Sequence, residues 1–390
     1  MKWLKIMSIF LTCNLFLTAC WDLEDIEDIG IVVGVGLDVV ENNEHDRPNI
    51  DFTHQFVVPK ALAGEQGGSS GLEDPYHNVS VNEIDVFEGG RETSTLTSRS
   101  PNYAHLKIAV IHEEVAETIN LLNLLNFFFR DHEMRRTARV IVSAEDAKEI
   151  LDIKGKKDAI PSLKLYQMTR NMEYKTGKMP PSMNLGEISE LLSSNRSFMI
   201  QRVKKMEDEV QIIGAGVISG KSKMMVGLLN EDETFGMNCI TGNASAGIIT
   251  ATHPKSDALV SYEIDGLSSK ITPMLKGDQL SFHVKVNTEG RIGEDWKLDS
   301  DAFEEAYIQK LETLIGQELK RLMTEGINKT QKELRVDVAG FGEEVRIHEP
   351  RYWEKVKKNW DKTFEKSEIS FDVSVNIRQF QMRGRKLNPS

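Results

Sequence analysis

Ile369-Ser-Phe-Asp-Val-Ser-Val-Asn-Ile-Arg378 alternates apolar and polar residues along its whole length. A period of two predicts a strand with one buried and one wet face. Upstream, Phe303, Tyr307, Leu311, Leu314, Leu319, Leu322 and Met323 fall on one helical stripe, with Asp299 or Ser300 available as its cap. That helix would run to roughly 25 residues, about twice the common length, so it should back a whole sheet. Arg351 to Thr363, behind Pro350, reads as a further helix. Trp353 and Trp360 are seven apart and share one of its faces. These elements predict a helix-plus-sheet unit over residues 259–390.

Moving towards the N-terminus, Phe198 to Val203, Val210 to Ile218, Met224 to Leu229 and Ser245 to Ile249 read as strands among many glycines. They predict a β-rich middle domain, 194–258, with a junction near Ser194. Before it, Ile29 to Val35, Ile50 to Val58 and Val79 to Val86 alternate as strands, the last two separated by the flexible Gly64-to-Gly71 loop. Strand and helix then take turns: Leu106 to Ile111, a helix Val115 to Phe129, strand Ala138 to Val142, and a helix Ala144 to Leu151 capped by Ser143. A helix from Leu185 to Ser193 closes this region. Residues 20–193 therefore predict an α/β domain. The fold class expected is α+β, with three mixed α/β domains.

The N-terminus is different in kind. Lys2 and Lys5 precede an apolar run from Ile6 to Leu17, which leads to Leu17-Thr-Ala-Cys20. A charged start, a short apolar stretch and small residues before a cut site predict a secretion signal over residues 1–19. The run is too short to span about 30 Å of hydrocarbon, which takes about 20 residues. The cysteine behind the small residues resembles the lipobox of bacterial lipoproteins, so Cys20 is the expected site of S-diacylglycerol and N-acyl attachment. Two acyl chains anchor stably where one does not.

Without residues 1–19 the formal charge moves from −12 to −14. So acidic a chain is repelled by phosphate backbones, which argues against nucleic acid as a partner. It also argues against a polybasic membrane contact and leaves the lipid as the expected anchor. With Cys13 removed and Cys20 lipidated, Cys239 alone remains, expected as a small buried apolar residue. Neither a disulfide nor a zinc site of paired cysteines is expected.

His112-Glu-Glu114 and Asp131-His-Glu133 invite a metal reading, but adjacent residues on a helix point about 100° apart and do not converge. Solvated polar faces are expected there, with no metal and no cofactor. Gly34-Val-Gly36, Gly214-Ala-Gly216 and Gly340-Phe-Gly342 do not continue into a phosphate-binding fingerprint, so they read as relief of crowding in strands and turns. Gly67-Gly-Ser-Ser-Gly71 spells Gly-x-Ser-x-Gly, but it lies within the flexible Gly64-to-Gly71 loop and not at a strand-to-helix turn, so it does not read as a nucleophile elbow.

Cys20-Trp-Asp22, followed by Ile29 to Asp38, resembles the start of the spore-germination Ger(x)C family, the lipoprotein C subunit of nutrient germinant receptors. Further blocks are similar to that family in the same order: Arg99-Ser-Pro-Asn-Tyr-Ala-His105-Leu-Lys107 and the apolar strand after it, with Ala116; Arg130-Asp131 and Arg135; and Asp337-Val-Ala-Gly-Phe-Gly342 with Trp353 and Trp360. Ala19 and Ala104 stand where the family usually has glycine. The resemblance implies a non-enzymatic receptor subunit of three α+β domains on the outer face of the spore inner membrane. It also implies two multi-spanning membrane partners, one of them permease-like. Trp21, Asp22, Trp353 and Trp360 are the candidate partner or membrane contacts. The rival reading is a solute-binding lipoprotein of a transporter, which would show two similar lobes about a cleft. A cell-wall hydrolase would need an acid pair or metal site.

Overall fold

The computed structural model describes Trp3 and residues 29–40, 49–59, 74–155, 158–171, 176–254, 256–297 and 304–379. The rest of the signal segment, Cys20, Trp21, Asp22, the loop 64–71, Asp299, Ser300 and Phe303 lie outside them.

The chain is α+β and builds two sheets. The first half supplies β1 (Ile29–Val40), β2 (Asn49–Val57) and β3 (Tyr76–Glu83), then helix α1 (Val86–Leu96) and β4 (Ser100–Asn102). Val86 was expected to continue the strand. Instead the Asp85 carboxylate accepts the Phe87 and Glu88 amides and starts a helix. Next come β5 (Ile108–His112) and three short helices, α2 (Glu113–Thr118), α3 (Leu121–Leu124) and α4 (Asn126–Arg130). The single helix expected over Val115 to Phe129 is broken where Asn120 turns to cap α3. Strand β6 (Arg139–Ser143), α5 (Ala147–Ile150), α6 (Pro161–Met168), β7 (Met183–Asn184) and α7 (Leu185–Ser193) follow. Ser143 does not cap α5. The Asp38 carboxylate does so from β1, accepting the Ala147 and Lys148 amides at 2.7 and 3.0 Å.

Strands β8 (Phe198–Met206), β9 (Glu209–Ile218) and β10 (Met225–Leu229) then extend this sheet, which runs β10-β9-β8-β6-β5-β1-β2-β3. Its centre, β1, β5, β6 and β8, is parallel. Helices cover both faces: α2, α4 and α7 pack on Ala109, Ile111, Val140 and Val142, while α5 and α6 pack on Ile108, Val110 and Ile141. Crowding there is severe. A side chain at Gly34 would meet Ser162 Oγ at 1.8 Å, as expected of a strand glycine under a close helix.

Helix α8 (Glu231–Thr241) and β11 (Gly247–Thr252) lead into a long hairpin, β12 (Leu259–Lys276) and β13 (Gln279–Asp295). Segment 194–258 is thus divided: its first three strands complete the large sheet, and its last opens a second, ordered β11-β12-β13-β14. The junction expected near Ser194 falls inside one continuous sheet, because β6 and β8 pair in parallel across it. Helix α9 (Glu305–Ile327) backs the second sheet and runs into a π-helical turn, Asn328–Glu333. Then come α10 (Phe341–His348), α11 (Pro350–Val356), a 3-10 turn, α12 (Trp360–Lys366) and β14 (Glu368–Gln379). Strand β14 keeps the expected alternation, with Ile377 buried and Ser370, Asp372, Ser374 and Asn376 exposed. Cys239 sits wholly buried in α8, and burial pushes its thiol pKa up.

Candidate functional site: a cleft between the two sheets

A cleft of about 1110 Å³ separates α7 and the start of β8 from the α10–α12 corner. One wall is fixed by α7, whose Asn184 and Glu187 form a capping box. The other wall is organised by Asp337. Its Oδ1 accepts the Ala339, Gly340 and Phe341 amides at 3.2, 2.9 and 3.0 Å, and its Oδ2 accepts the Gly342 amide at 2.7 Å. The Trp360 indole donates to the same Oδ2 at 3.0 Å. Burial pushes the carboxyl pKa up, and the amides and the indole oppose that shift. Successive amides of this kind form an anion nest. Here the chain's own carboxylate fills it, so the glycines cradle Asp337 rather than a phosphate.

Geometry favours glycine at both positions. Gly340 has a φ of +79°, in the left-handed region. A side chain at Gly342 would lie 3.0 Å from the Trp360 ring and 3.2 Å from Trp353. The two tryptophans rest on that bare backbone and on each other edge to face, with ring centroids 5.3 Å apart. They are half-buried and belong to the core beneath the second sheet while also lining the cleft. The α11–α12 segment bends at residues 357–359.

Two ion pairs lie in the cleft wall, Glu190 with Arg196 and Glu343 with Arg346, each at 2.7 Å. Among its described lining residues there is no histidine or cysteine. The arrangement offers aromatic edges and charged side chains of both signs.

The histidine–acid tripeptides do not act as units. Glu113 pairs with Arg202 from β8. Glu133 accepts the Asn102 amide at 3.2 Å. His112 does meet two carboxylates, but from other elements: its ring nitrogen and oxygens of Asp38 and Asp146 lie within 4.8 Å of one another. Both Asp38 oxygens are already held by α5 amides. Burial pushes the Asp38 pKa up to about 6. Sequence spacing could not show this grouping, because the three residues come from β1, β5 and the β6–α5 connection.

Among the described residues no helix is long and apolar enough to cross a membrane. Residues 22–205 match the family model described as spore germination protein N-terminal domain, and residues 213–381 match spore germination B3/GerAC-like, C-terminal. Spore germination protein YndF of Bacillus subtilis (strain 168) is 34% identical, with 96% of this chain and 97% of the relative covered. Spore germination protein A3 of the same organism is 32% identical over 98% and 99%. The crystal structure of the GerBC protein superposes with a TM-score of 0.61 at 25% identity, covering 91% of this chain and 99% of that one. Matched end to end in sequence and in fold, the chain belongs to the spore germination B3/GerAC-like family.

Proposed function

We infer that this chain is a non-enzymatic, lipid-anchored subunit of a nutrient germinant receptor in the spore inner membrane. The observation that carries the reading is end-to-end similarity to spore germination proteins A3 and B3, covering 98% and 99% of this chain. The anchor is lipid on Cys20, behind a signal peptide over residues 1–19. Its partners are two multi-spanning membrane subunits, one permease-like, and no nucleic acid. The cleft carrying Trp353 and Trp360 is the surface assigned to partner contact, with Trp21 and Asp22 beside the lipid as a second contact. Paired charges and half-exposed indoles suit an interface, where tryptophan is enriched among the residues that matter most.

The test is fractionation of Cys20→Ala expressed without the other subunits. The substituted protein should leave the membrane fraction. Continued sedimentation with membranes would refute lipid anchoring at Cys20. Copurification of wild-type protein with its membrane partners, identified by mass spectrometry, tests the complex itself.

A further inference from the structure

Strand β14 is the last in the order β11-β12-β13-β14, so among the described residues its outer edge faces no other strand. Its twelve residues make it about twice the common strand length, which is long for an edge. Open edges recruit further chains, and proteins blunt them with lysine, proline or a short run. Between Glu368 and Gln379 there is neither lysine nor proline, and the charges are Glu368 and Arg378 near the ends and Asp372 between them. Among the described residues one hydrogen bond reaches the outer edge: the Ile377 amide donates to Glu312 of α9 at 3.0 Å. In a parallel ladder a residue turns amide and carbonyl to the same side, and successive residues turn to opposite sides. The register with β13 is regular from Ile369 to Ile377. Ile369, Phe371, Val373 and Val375 therefore point amide and carbonyl outward, as Ile377 does. Their side chains are half-buried and pack against the second core.

The strand is complementary to itself. Turned antiparallel about Val373, it sets Glu368 opposite Arg378, Ser370 opposite Asn376 and Asp372 opposite Ser374 on the wet face. On the core face Ile369 meets Ile377, Phe371 meets Val375, and Val373 meets Val373. Outward amides then lie opposite outward carbonyls throughout, and only the Ile377 amide is already engaged. Neighbouring registers fit worse: turning about Asp372 opposes two carboxylates, and turning about Ser374 leaves Glu368 and Arg378 without each other. The register of fullest overlap is thus also the one that matches charge. We propose that β14 pairs with β14 of a second copy of this chain, joining two four-stranded sheets into one of eight strands. The contact is isologous, each copy giving and receiving the same surface. Residues 380–390 fit the edge less well, since they hold Arg383, Gly384, Arg385, Lys386 and Pro389 and no sustained alternation. The pairing goes beyond the receptor-subunit reading and requires neither the lipid nor the membrane partners.

The test is sedimentation velocity of the processed chain, residues 20–390, with Cys20→Ser so that no acyl chain contributes. It should pass from monomer to dimer as concentration rises through the micromolar range. Arg378→Glu opposes like charges at both ends of the pairing and should weaken association about tenfold. Adding Glu368→Arg to that variant should restore it, although the bond from Arg378 to Glu289 stays lost. The register has its own readout. Residues 372 and 374 would face each other as a pair without backbone bonds, the closer kind, within reach of a disulfide. Oxidising a mixture of the Asp372→Cys chain and the Ser374→Cys chain should link the two, and either chain alone should link far more slowly. Cys239 is wholly buried and takes no part. A chain that stays monomeric at every concentration would overturn the pairing and leave the edge to residues 380–390 or to a membrane subunit. Failure of the double reversal to restore association, or equal linking in the mixture and in either chain alone, would overturn it too. None of these readouts uses lipid, so their failure leaves the Cys20→Ala fractionation untouched.

Discussion

The first sheet is covered by helices on both faces and buries polar side chains among its rings and aliphatics, whereas the second keeps one face wet and packs a cluster of rings under the other. In the first, Gln55 donates to the Leu151 carbonyl at 2.6 Å and accepts from the Ser162 amide and hydroxyl. His54 lies between Tyr103 and Thr93, and burial pushes its pKa down to about 3, so the ring is neutral. In the second, Phe282, Phe341 and Phe364 are wholly buried, with Phe341 at 4.9 Å from Phe282 and 5.2 Å from Phe364, centroid to centroid. A core of paired polar groups specifies partners and responds to protons; a core of rings responds to volume. The two halves of one chain should therefore fail in different ways.

The largest expected loss is Phe341→Ala, about 3–5 kcal/mol by chemical denaturation, from a cavity shared by three rings. Asp337→Ala should follow at about 3 kcal/mol, since it leaves buried amides and the Trp360 indole without an acceptor, each unpaired group costing about 1–3 kcal/mol before water replaces part of it. Tryptophan fluorescence should report this variant directly. A small Asp337→Ala effect would mean that the cleft wall stands without its nest.

The first sheet answers to pH. Asp38 has a folded-state pKa of about 6, above its ordinary 3.8, so the fold favours the protonated form. That stabilisation is complete below about pH 3.8 and gone once pH passes about 6. It amounts to about 2–3 kcal/mol at 1.36 kcal/mol per pKa unit. The stability difference between wild type and Asp38→Asn should change by that amount across the window, read from paired melts. A flat difference would show that the two α5 amides hold the charged form after all.

The smallest effects are on β14. Phe371 is half-buried rather than fully enclosed, so Phe371→Ala should cost about 1–2 kcal/mol. Asp372→Ala, on the wet face, should cost under about 0.5 kcal/mol. Equal losses would break the assigned register.

What the sequence made legible follows the same division. Strand β14 and helix α9 stand at a boundary between core and water, and such elements write their period into the chain. Helix α8 does not: Thr234 through Ile240 are all buried, so no polar face marks a stripe. Its start was nonetheless announced by Asn230 and Glu233, which form a capping box. The β12–β13 hairpin is written in the alternation of Leu280, Phe282, Val284 and Val286, all of them facing the core. The attachment of β8 to β6 was invisible because it rests on pairing between residues distant in sequence, Val142 with Arg202. At the cleft, Asp337, Gly342, Trp353 and Trp360 were legible as a motif, while the indole-to-carboxylate bond that joins them was not.

One pairing governs how the molecule must come into being. Strand β14 lies parallel to β13, Ser281 opposite Glu368, so the second sheet closes only when residues near the end of the chain return past α9–α12. Parallel contacts this far apart in sequence are slow to form. During synthesis, the β13 edge stays open until residues 368–379 have emerged, and a chain stopped before residue 368 would keep it open for good. An unpaired strand edge invites aggregation and proteolysis. Strand β14 thus decides whether that edge is covered, and a chain lacking it should be cut by added protease faster than one that carries it.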